Sequence, residues 1–189
     1  AAPVDKWLDK YVGPSEIEFV DVSESDVYGT PTVLIRFDAS DLDAAYAELD
    51  ARFEAGEGAA HPLALRGLRF FRFFAARDWD GVIGGCAPAF VAHDHRLVSW
   101  GTLNDAAAWV GALRALVELS PDARHRRDHV RMCDRGGLVA GEWVGTRDGG
   151  PFEIAHIVVS EADEIGRLQQ LDLYDPAQLD QARARFAAI

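Results

Sequence analysis

Alternation of apolar and polar residues is clearest in the last third of the chain, where it predicts four strands. Successive side chains of a strand point to opposite faces, so each segment has one face suited to a core. The predicted strands are residues 123–133, 137–146, 151–160 and 167–175. Polar turns join them at Arg135-Gly136 (the Arg-Gly turn), Asp148-Gly149 (the Asp-Gly turn) and Asp163-Glu164 (the Asp-Glu turn). The pattern predicts an antiparallel meander, with the Asp-Gly turn as its strongest hairpin signal.

Helical spacing dominates before this meander. Apolar residues recur every three or four positions after Ser40, Pro62 and Asn104, which predicts three long helices. The helix after Pro62 is apolar nearly all round, so we expect it to be buried on several sides. The other predicted elements are helices at residues 4–12, at 79–86 and from Asp175-Pro176 onward, a hairpin of residues 16–22 and 32–37, and a strand at residues 89–95.

Chain length, net charge and the length of the apolar runs narrow the range of partners. A chain of 189 residues is one medium domain, or one domain with an appendage. Its formal charge of −12 argues against a nucleic-acid or anionic-membrane partner. Its longest apolar runs are far shorter than the roughly 20 residues that a membrane span needs. We therefore expect neither nucleic acid nor a membrane among its partners.

Cysteine content and the start of the chain bear on localisation. Cys86 and Cys133 are too few and too scattered for a disulfide framework or a zinc site, which favours the cytoplasm. The chain begins Ala-Ala-Pro without Met, as a trimmed product or a fragment of a longer protein would. An end left by signal-peptide cleavage would look similar. Residues 56–60, rich in Gly and Ala, predict a boundary between an N-terminal extension (1–60), packed on the main domain, and that domain (61–189).

His156 and Asp172 are predicted to face each other across the last two strands. A turn centred near Glu164 pairs them, and cross-strand neighbours on one face have Cβ atoms roughly 4.5–5.5 Å apart. In an apolar pocket they could form an acid/base pair, with burial raising the pKa of the carboxyl toward neutrality. The alternative is a satisfied buried hydrogen bond that fixes the sheet.

The two earlier turns predict which side chains share the face of His156. The Asp-Gly turn pairs Trp143 with Ile154 and Gly141 with His156, whereas the Arg-Gly turn pairs Asp128 with Trp143. A slip of one residue would exchange the two faces. The predicted shared face consists of Arg126, Asp128, Val130, Met132, Val139, Trp143, Phe152, Ile154, His156, Val158 and Asp172. The opposite, wetter face holds His125, Arg127, His129, Arg131, Glu142 and Glu153.

The order of these elements resembles the SnoaL-like, nuclear transport factor 2-like superfamily over about residues 62–189. The resemblance implies an α+β fold, in which a cone-shaped, curved, mostly antiparallel sheet wraps three helices (a cystatin-like α+β roll) around an apolar pocket. Residues 1–60 would add a hairpin and a helix. The motifs that carry the resemblance are Ala76-Arg77-Asp78-Trp79-Asp80, the strand at residues 90–95, Gly145-Thr146 with Gly149, and Gly166-Arg167 followed by Asp172-Leu173-Tyr174-Asp175.

The resemblance also implies roles for single residues. Asp94 falls at the general base of ketosteroid isomerases, and His156 falls near their hydrogen-bond-donating aspartic acid. Asp172 matches the catalytic aspartate on the last strand of polyketide cyclases and epoxide hydrolases. Phe71, however, stands where isomerases have an oxyanion-binding tyrosine.

The epoxide hydrolases' Arg-x-Asp strand aligns with Glu142 and Val144, which cannot do that job. Arg126 and Asp128 have the right spacing but lie one strand too early. A true isomerase or epoxide hydrolase is therefore disfavoured.

A metal site is also disfavoured. His93, Asp94 and His95 are adjacent, but neighbouring strand residues point to opposite faces, so at most the two histidines share a side. A third ligand is not evident, and neither a metal nor a cofactor is expected.

Two hypotheses follow from the sequence. In the first, the chain binds a small apolar or polyketide-like molecule, and it could be a cofactor-independent cyclase, isomerase or dehydratase-like enzyme. In the second, it is a non-catalytic ligand-sensing or dimerisation domain of a larger regulatory protein, a homodimer through its sheet. The candidate catalytic residues are Asp172, His156 and Asp94, and the candidate ligand-binding residues are Asp128, Arg126, Trp143, Phe71, Phe74, Trp100 and Tyr174.

Overall fold

The computed structural model describes residues 17–189, so the helix predicted at residues 4–12 lies outside the described residues. The chain divides into two compact units between Ala55 and Gly56. The first contains an antiparallel hairpin, β1 (Phe19–Ser25) and β2 (Pro31–Asp38), followed by helix α1 (Leu42–Ala55). The predicted hairpin and first long helix are thus confirmed. The packing of residues 1–60 on the main domain stays a prediction.

The second unit contains four α-helices among the residues that the structure describes. Carboxylates cap two of them: Asp78 accepts a hydrogen bond from Gly81 N and Asp105 accepts one from Ala108 N. The helix predicted after Asn104 is thus capped by the next residue, Asp105. The helices are α2 (Pro62–Ala75), α3 (Trp79–Gly84), α4 (Ala106–Leu119) and α5 (Leu179–Ala187), with 3₁₀ turns at Glu57–Ala60 and Pro176–Gln178.

A six-stranded, curved, open sheet forms the rest of the second unit. Its strand order is β4-β3-β8-β7-β6-β5, and every neighbouring pair is antiparallel except β3 with β8. This mixed α+β architecture confirms the predicted fold class. The strands are β3 (Cys86–Asp94), β4 (Thr102–Leu103), β5 (Arg124–Cys133), β6 (Gly136–Arg147), β7 (Gly150–Ala162) and β8 (Leu168–Tyr174).

Helices cover both faces of this sheet. The inner face packs against α2, α3 and α4, which form the larger core with residues such as Phe74, Trp109 and Trp143. The outer face packs against α5, where Val159 and Ala182 are completely buried. No helix among the described residues is long and apolar enough to cross a membrane.

A bulge in β8 changes which side chains share the inner face. Ala162 pairs with Leu168 but Glu161 pairs with Gln170, so β8 contains one extra residue. Beyond the bulge Asp172 pairs with Val159, and the predicted pairing of Asp172 with His156 is wrong. Because an extra residue reverses the alternation, Asp172 points to the outer face.

A second bulge acts in the same way in β5. The register shifts between Arg127 and His129, which leaves Asp128 out of the pairing. His125 then pairs with Trp143 and shares the inner face, whereas Arg126 pairs with Glu142 on the outer face. The pairing of β6 with β7 contains no shift, and it confirms the predicted partners Gly141–His156 and Trp143–Ile154.

Candidate functional site

An apolar cup of about 80 Å³ lies between α2 and the inner face of the sheet. The two histidines of its wall are the only titratable side chains among its described lining residues. Ser160 also lines the cup, but its hydroxyl donates to the carbonyl oxygen of Gly137. The apolar wall includes Leu68, Phe70, Phe71, Trp100, Trp109, Leu113, Val130, Met132, Val139, Trp143, Val158, Leu171 and Leu173.

His125 and His156 form a hydrogen-bonded pair in this wall. Their Nε2 atoms are 3.0 Å apart, and Nδ1 of His156 is 3.0 Å from the carbonyl oxygen of Ile154. A carbonyl only accepts, so Nδ1 of His156 carries a proton and its Nε2 accepts from Nε2–H of His125. Nδ1 of neutral His125 thus carries no proton and could accept a hydrogen bond. This atom is buried without a hydrogen-bond partner among the described residues.

Burial keeps both imidazoles neutral. Desolvation, with smaller contributions from the neighbouring His156 and Arg127, lowers the pKa of His125 to about 3. Desolvation also lowers the pKa of His156, although the hydrogen bond to Ile154 acts in the opposite direction. The pair is therefore uncharged at physiological pH.

Aromatic rings fix the orientation of the pair. The ring centroid of His125 lies 5.0 Å from that of Phe71 and 4.8 Å from that of Trp143, and His156 stacks on Trp143. Gly141 leaves room for His125, because a Cβ atom at that position would lie 2.8 Å from its Cε1. A larger residue at position 141 would displace the imidazole of His125.

Asp172 belongs to a different network on the outer face. Its carboxylate accepts hydrogen bonds of 2.9 Å from His95, Gln170 and Arg185, and the last of these lies on α5. Burial raises the pKa of Asp172, but these donors more than offset it and the net pKa is lowered. The predicted shift toward neutrality is therefore wrong, and the carboxylate anchors α5 to the sheet.

Asp94 lies on the inner-face side of β3 but is engaged in an ion pair. Arg96 Nε and Nη2 donate to its two oxygens at 2.8 Å, and the backbone N–H of Trp100 donates at 2.9 Å. Burial raises the pKa of Asp94, but these donors lower it overall. The charge of Arg96 lowers the pKa of His156 and the charge of Asp94 raises it, although neither residue lines the cup.

The structure brings together only part of the predicted ligand-binding set. Phe71, Trp100 and Trp143 line the cup, and Phe74 packs behind Trp143 with ring centroids 4.6 Å apart. Tyr174 lies on the outer face and stacks on His95.

Arg126 and Asp128 form an outer-face ion pair of 3.1 Å, and Arg126 also pairs with Glu142. Their predicted place in the wall is wrong because of the bulge in β5. The bulge instead places His125 on the inner face, whereas the alternating pattern assigned it to the wetter face. No composition signal in the sequence marks this bulge, so the alternating pattern could not identify His125.

Metal coordination finds no support in the described part of the chain. It contains no group of three or more His, Cys, Asp or Glu side chains that could hold an ion. His93 is 3.3 Å from the Thr102 hydroxyl, whereas His95 contacts Asp172, so the two histidines have different partners.

Comparison with known proteins places this fold. No protein-family model and no curated protein sequence matches the chain. A solved structure named as a SnoaL-like polyketide cyclase, from Jannaschia sp. CCS1, is 15% identical, with a TM-score of 0.50 over 61% of this chain and 86% of that one. IdmH from Streptomyces antibioticus, named as a polyketide cyclase, is 16% identical, with a TM-score of 0.50 over 64% of this chain and 94% of that one.

These similarities concern the backbone, because identities this low reflect a shared fold and not a shared site. They agree with the open, mostly antiparallel sheet and with the helices on its inner face. The chain therefore has the fold of the SnoaL-like, nuclear transport factor 2-like superfamily.

Proposed function

We propose that the second unit binds a compact, mostly apolar small molecule in the cup, and that the neutral histidine pair is its polar recognition element. The observation that carries this proposal is the hydrogen-bonded pair of His125 and His156 in an otherwise apolar, aromatic wall. Nδ1 of His125 has no hydrogen-bond partner among the described residues, and we propose that it accepts from a ligand hydroxyl once binding shifts the ring toward the cup. Burying such an atom without a donor costs about 1–3 kcal/mol.

The volume of the cup limits the size of the ligand. Sites for drug-sized molecules enclose roughly 300–1,000 Å³, and the cup encloses about 80 Å³. A polycyclic polyketide-like molecule is too large for this space, so we propose that one ring or a short branched chain occupies it.

Binding is better supported than catalysis. A general base works best with a pKa near the operating pH, and the pKa of His125 is lowered to about 3. Asp172 lies on the other face, and Asp94 is held by Arg96. Proton abstraction from a carbonyl substrate remains the second candidate, favoured only by the free lone pair on His125.

The homodimer through the sheet remains a prediction. Part of the outer face packs against α5, and β5 carries the exposed ion pair of Arg126 and Asp128 there. A dimer on this face would be polar and salt-sensitive, which light scattering at low and high salt would test. The cytoplasmic location likewise stays a prediction.

The direct test of the ligand proposal compares phenol with toluene. Binding is followed by the shift of the Trp143 indole N–H resonance, because this ring lies in the cup wall. We expect phenol to bind about fivefold more tightly, since a net hydrogen bond is worth about 1 kcal/mol. The double variant His125→Leu/His156→Leu should retain toluene binding and lose this preference.

Two controls define the outcome. His129→Leu, at an exposed position on the outer face, should change neither affinity. Val158→Phe should fill the cup and abolish the binding of both molecules. If neither molecule perturbs Trp143, or Val158→Phe leaves binding intact, the cup is not the binding site.

A further inference from the structure

A second, larger cavity lies within the second unit, between α2, α3 and the turn that joins β7 to β8. It encloses about 350 Å³, against about 80 Å³ for the cup. Its apolar wall includes Phe70, Phe73, Val82 and Trp109. This volume falls in the range of small-molecule sites, roughly 300–1,000 Å³.

Positive charge concentrates at this cavity although the whole chain carries −12. Arg66, Arg69 and Arg167 line it, and its described lining residues include no carboxylate. Arg167 pairs with Asp163 at 2.8 Å. Arg66 donates to the carbonyl oxygen of Ile165, and this contact does not neutralise its charge. Arg69 has no ion pair within the described ranges, so two guanidinium groups are left uncompensated.

Two glycines leave space at the cavity. Gly67 lies in the interior of α2 and Gly84 at the end of α3, and both line the cavity. A Cβ atom at either position would meet nothing within 4 Å, so packing does not require glycine there. Glycine in a helix interior is disfavoured relative to alanine. We read the open space at Gly67 and Gly84 as room for a ligand.

We propose that this cavity binds an amphipathic oxyanion, with a carboxylate or phosphate head beside Arg66 and Arg69 and an apolar body against Phe70, Phe73 and Trp109. The planar guanidinium fork matches both head groups and donates two parallel hydrogen bonds to either. Burial raises the pKa of the neighbouring Cys86 thiol to about 12, and this thiol donates to the carbonyl oxygen of Val82. The site shares Phe70 and Trp109 with the cup wall but does not include the histidine pair, and it goes beyond the proposed function of the cup.

Calorimetric titration with decanoate, decyl phosphate and decanol tests the proposal on the full chain. The three share one apolar tail and differ in head group. We expect both anions to bind at least tenfold more tightly than decanol, and Arg69→Gln to remove at least tenfold of that affinity without changing decanol binding. The stronger anion identifies the preferred head group. Arg131→Gln, an exposed arginine on the outer face, should leave all three affinities unchanged.

A blocking variant separates this site from the cup. Gly84→Leu should abolish decanoate binding and preserve phenol binding, because Gly84 lines only the second cavity. Val158→Phe should do the reverse, since Val158 lines only the cup. The proposal is overturned if decanol binds as tightly as decanoate, if Arg69→Gln and Arg131→Gln act alike, or if folded Gly84→Leu still binds decanoate. A failure of phenol binding alone would count against the cup and not against this site.

Discussion

The Nε2 atoms of His125 and His156 lie 3.0 Å apart, and the hydrogen bond between them joins two neutral rings. The partner of His125 is thus an imidazole and not a carboxylate, so the hydrogen bond between the rings does not favour an imidazolium. Burial then dominates and lowers both pKa values. The cup wall therefore carries a neutral histidine pair in an apolar surrounding, and no charge.

Replacing His125 should change how stability depends on pH. Its pKa is about 3 in the folded protein and about 6.5 in the unfolded chain. Below pH 6.5 the unfolded chain therefore binds more protons, and this histidine lowers the free energy of unfolding by up to about 1.4 kcal/mol for each unit of pH decrease. We expect His125→Gln to reduce the acid slope by about this amount, as measured by urea unfolding between pH 4.5 and 6.5.

The pH range of the measurement and a substitution at a second histidine, His129, serve as controls. The pKa values of Asp94 and Asp172 are lowered, so their stabilising contributions are lost only below about pH 4. The exposed His129 lies on the outer face, and His129→Gln is the matched control substitution. Equal slopes for wild type and His125→Gln would mean that His125 titrates normally.

Asp172→Asn should affect stability and not ligand binding. The carboxylate is 3% exposed and holds Arg185 of α5 at 2.9 Å. Removing one charge of a buried pair costs about 3–5 kcal/mol, so we expect a loss near the lower end of this range in chemical denaturation. Phenol affinity should stay within twofold of wild type.

The matched control is Asp128→Asn on the same outer face. Its ion pair with Arg126 is exposed, and exposed pairs contribute about 0–1 kcal/mol. A stable Asp172→Asn variant that cannot bind phenol would place Asp172 at the site and contradict its structural role.

Gly141→Ala should disrupt the site through the backbone. The added Cβ would clash with the carbonyl oxygen of Arg126 on the neighbouring strand and lie 2.8 Å from Cε1 of His125. Overpacking of this kind costs about 1–3 kcal/mol, and we expect the upper value with loss of the preference for phenol over toluene. Thermal unfolding and the phenol titration measure the two effects.

Gly111→Ala is the contrasting substitution. A Cβ at Gly111 in α4 meets nothing within 4 Å, so alanine should raise the free energy of unfolding by up to about 1 kcal/mol. If Gly141→Ala were equally well tolerated, the close approach of β5 to β6 at this residue would be wrong.

The sequence predicted the elements and one register well because these depend on local signals. Asp148 and Gly149 both adopt positive φ in the tight turn after β6, as the Asp-Gly pair predicts, and the β6–β7 register follows from it. Helical spacing after Pro62 predicts a helix there, and α2 begins at Pro62. The parallel pairing of β3 with β8 has no local signal and was not predicted.

The site was predicted poorly because bulges decide its faces. Without the extra residue in β8, His156 and Asp172 would lie on one face; with it they lie on opposite faces. The extra residue at Asp128 in β5 likewise exchanges Arg126 for His125. Alternation records only the parity of positions, so one unpaired residue reverses every assignment beyond it.

The protonation state of the histidine pair is the most direct test of this account. Long-range ¹H–¹⁵N spectra of protein labelled at histidine nitrogen report which ring atoms carry protons. We expect His156 to be protonated at Nδ1 and His125 at Nε2, with His125 gaining no second proton between pH 8 and pH 5 and the pKa of His156 lying below 6.5. If either ring titrates near pH 6.5, or His156 carries its proton on Nε2, the neutral histidine pair is contradicted.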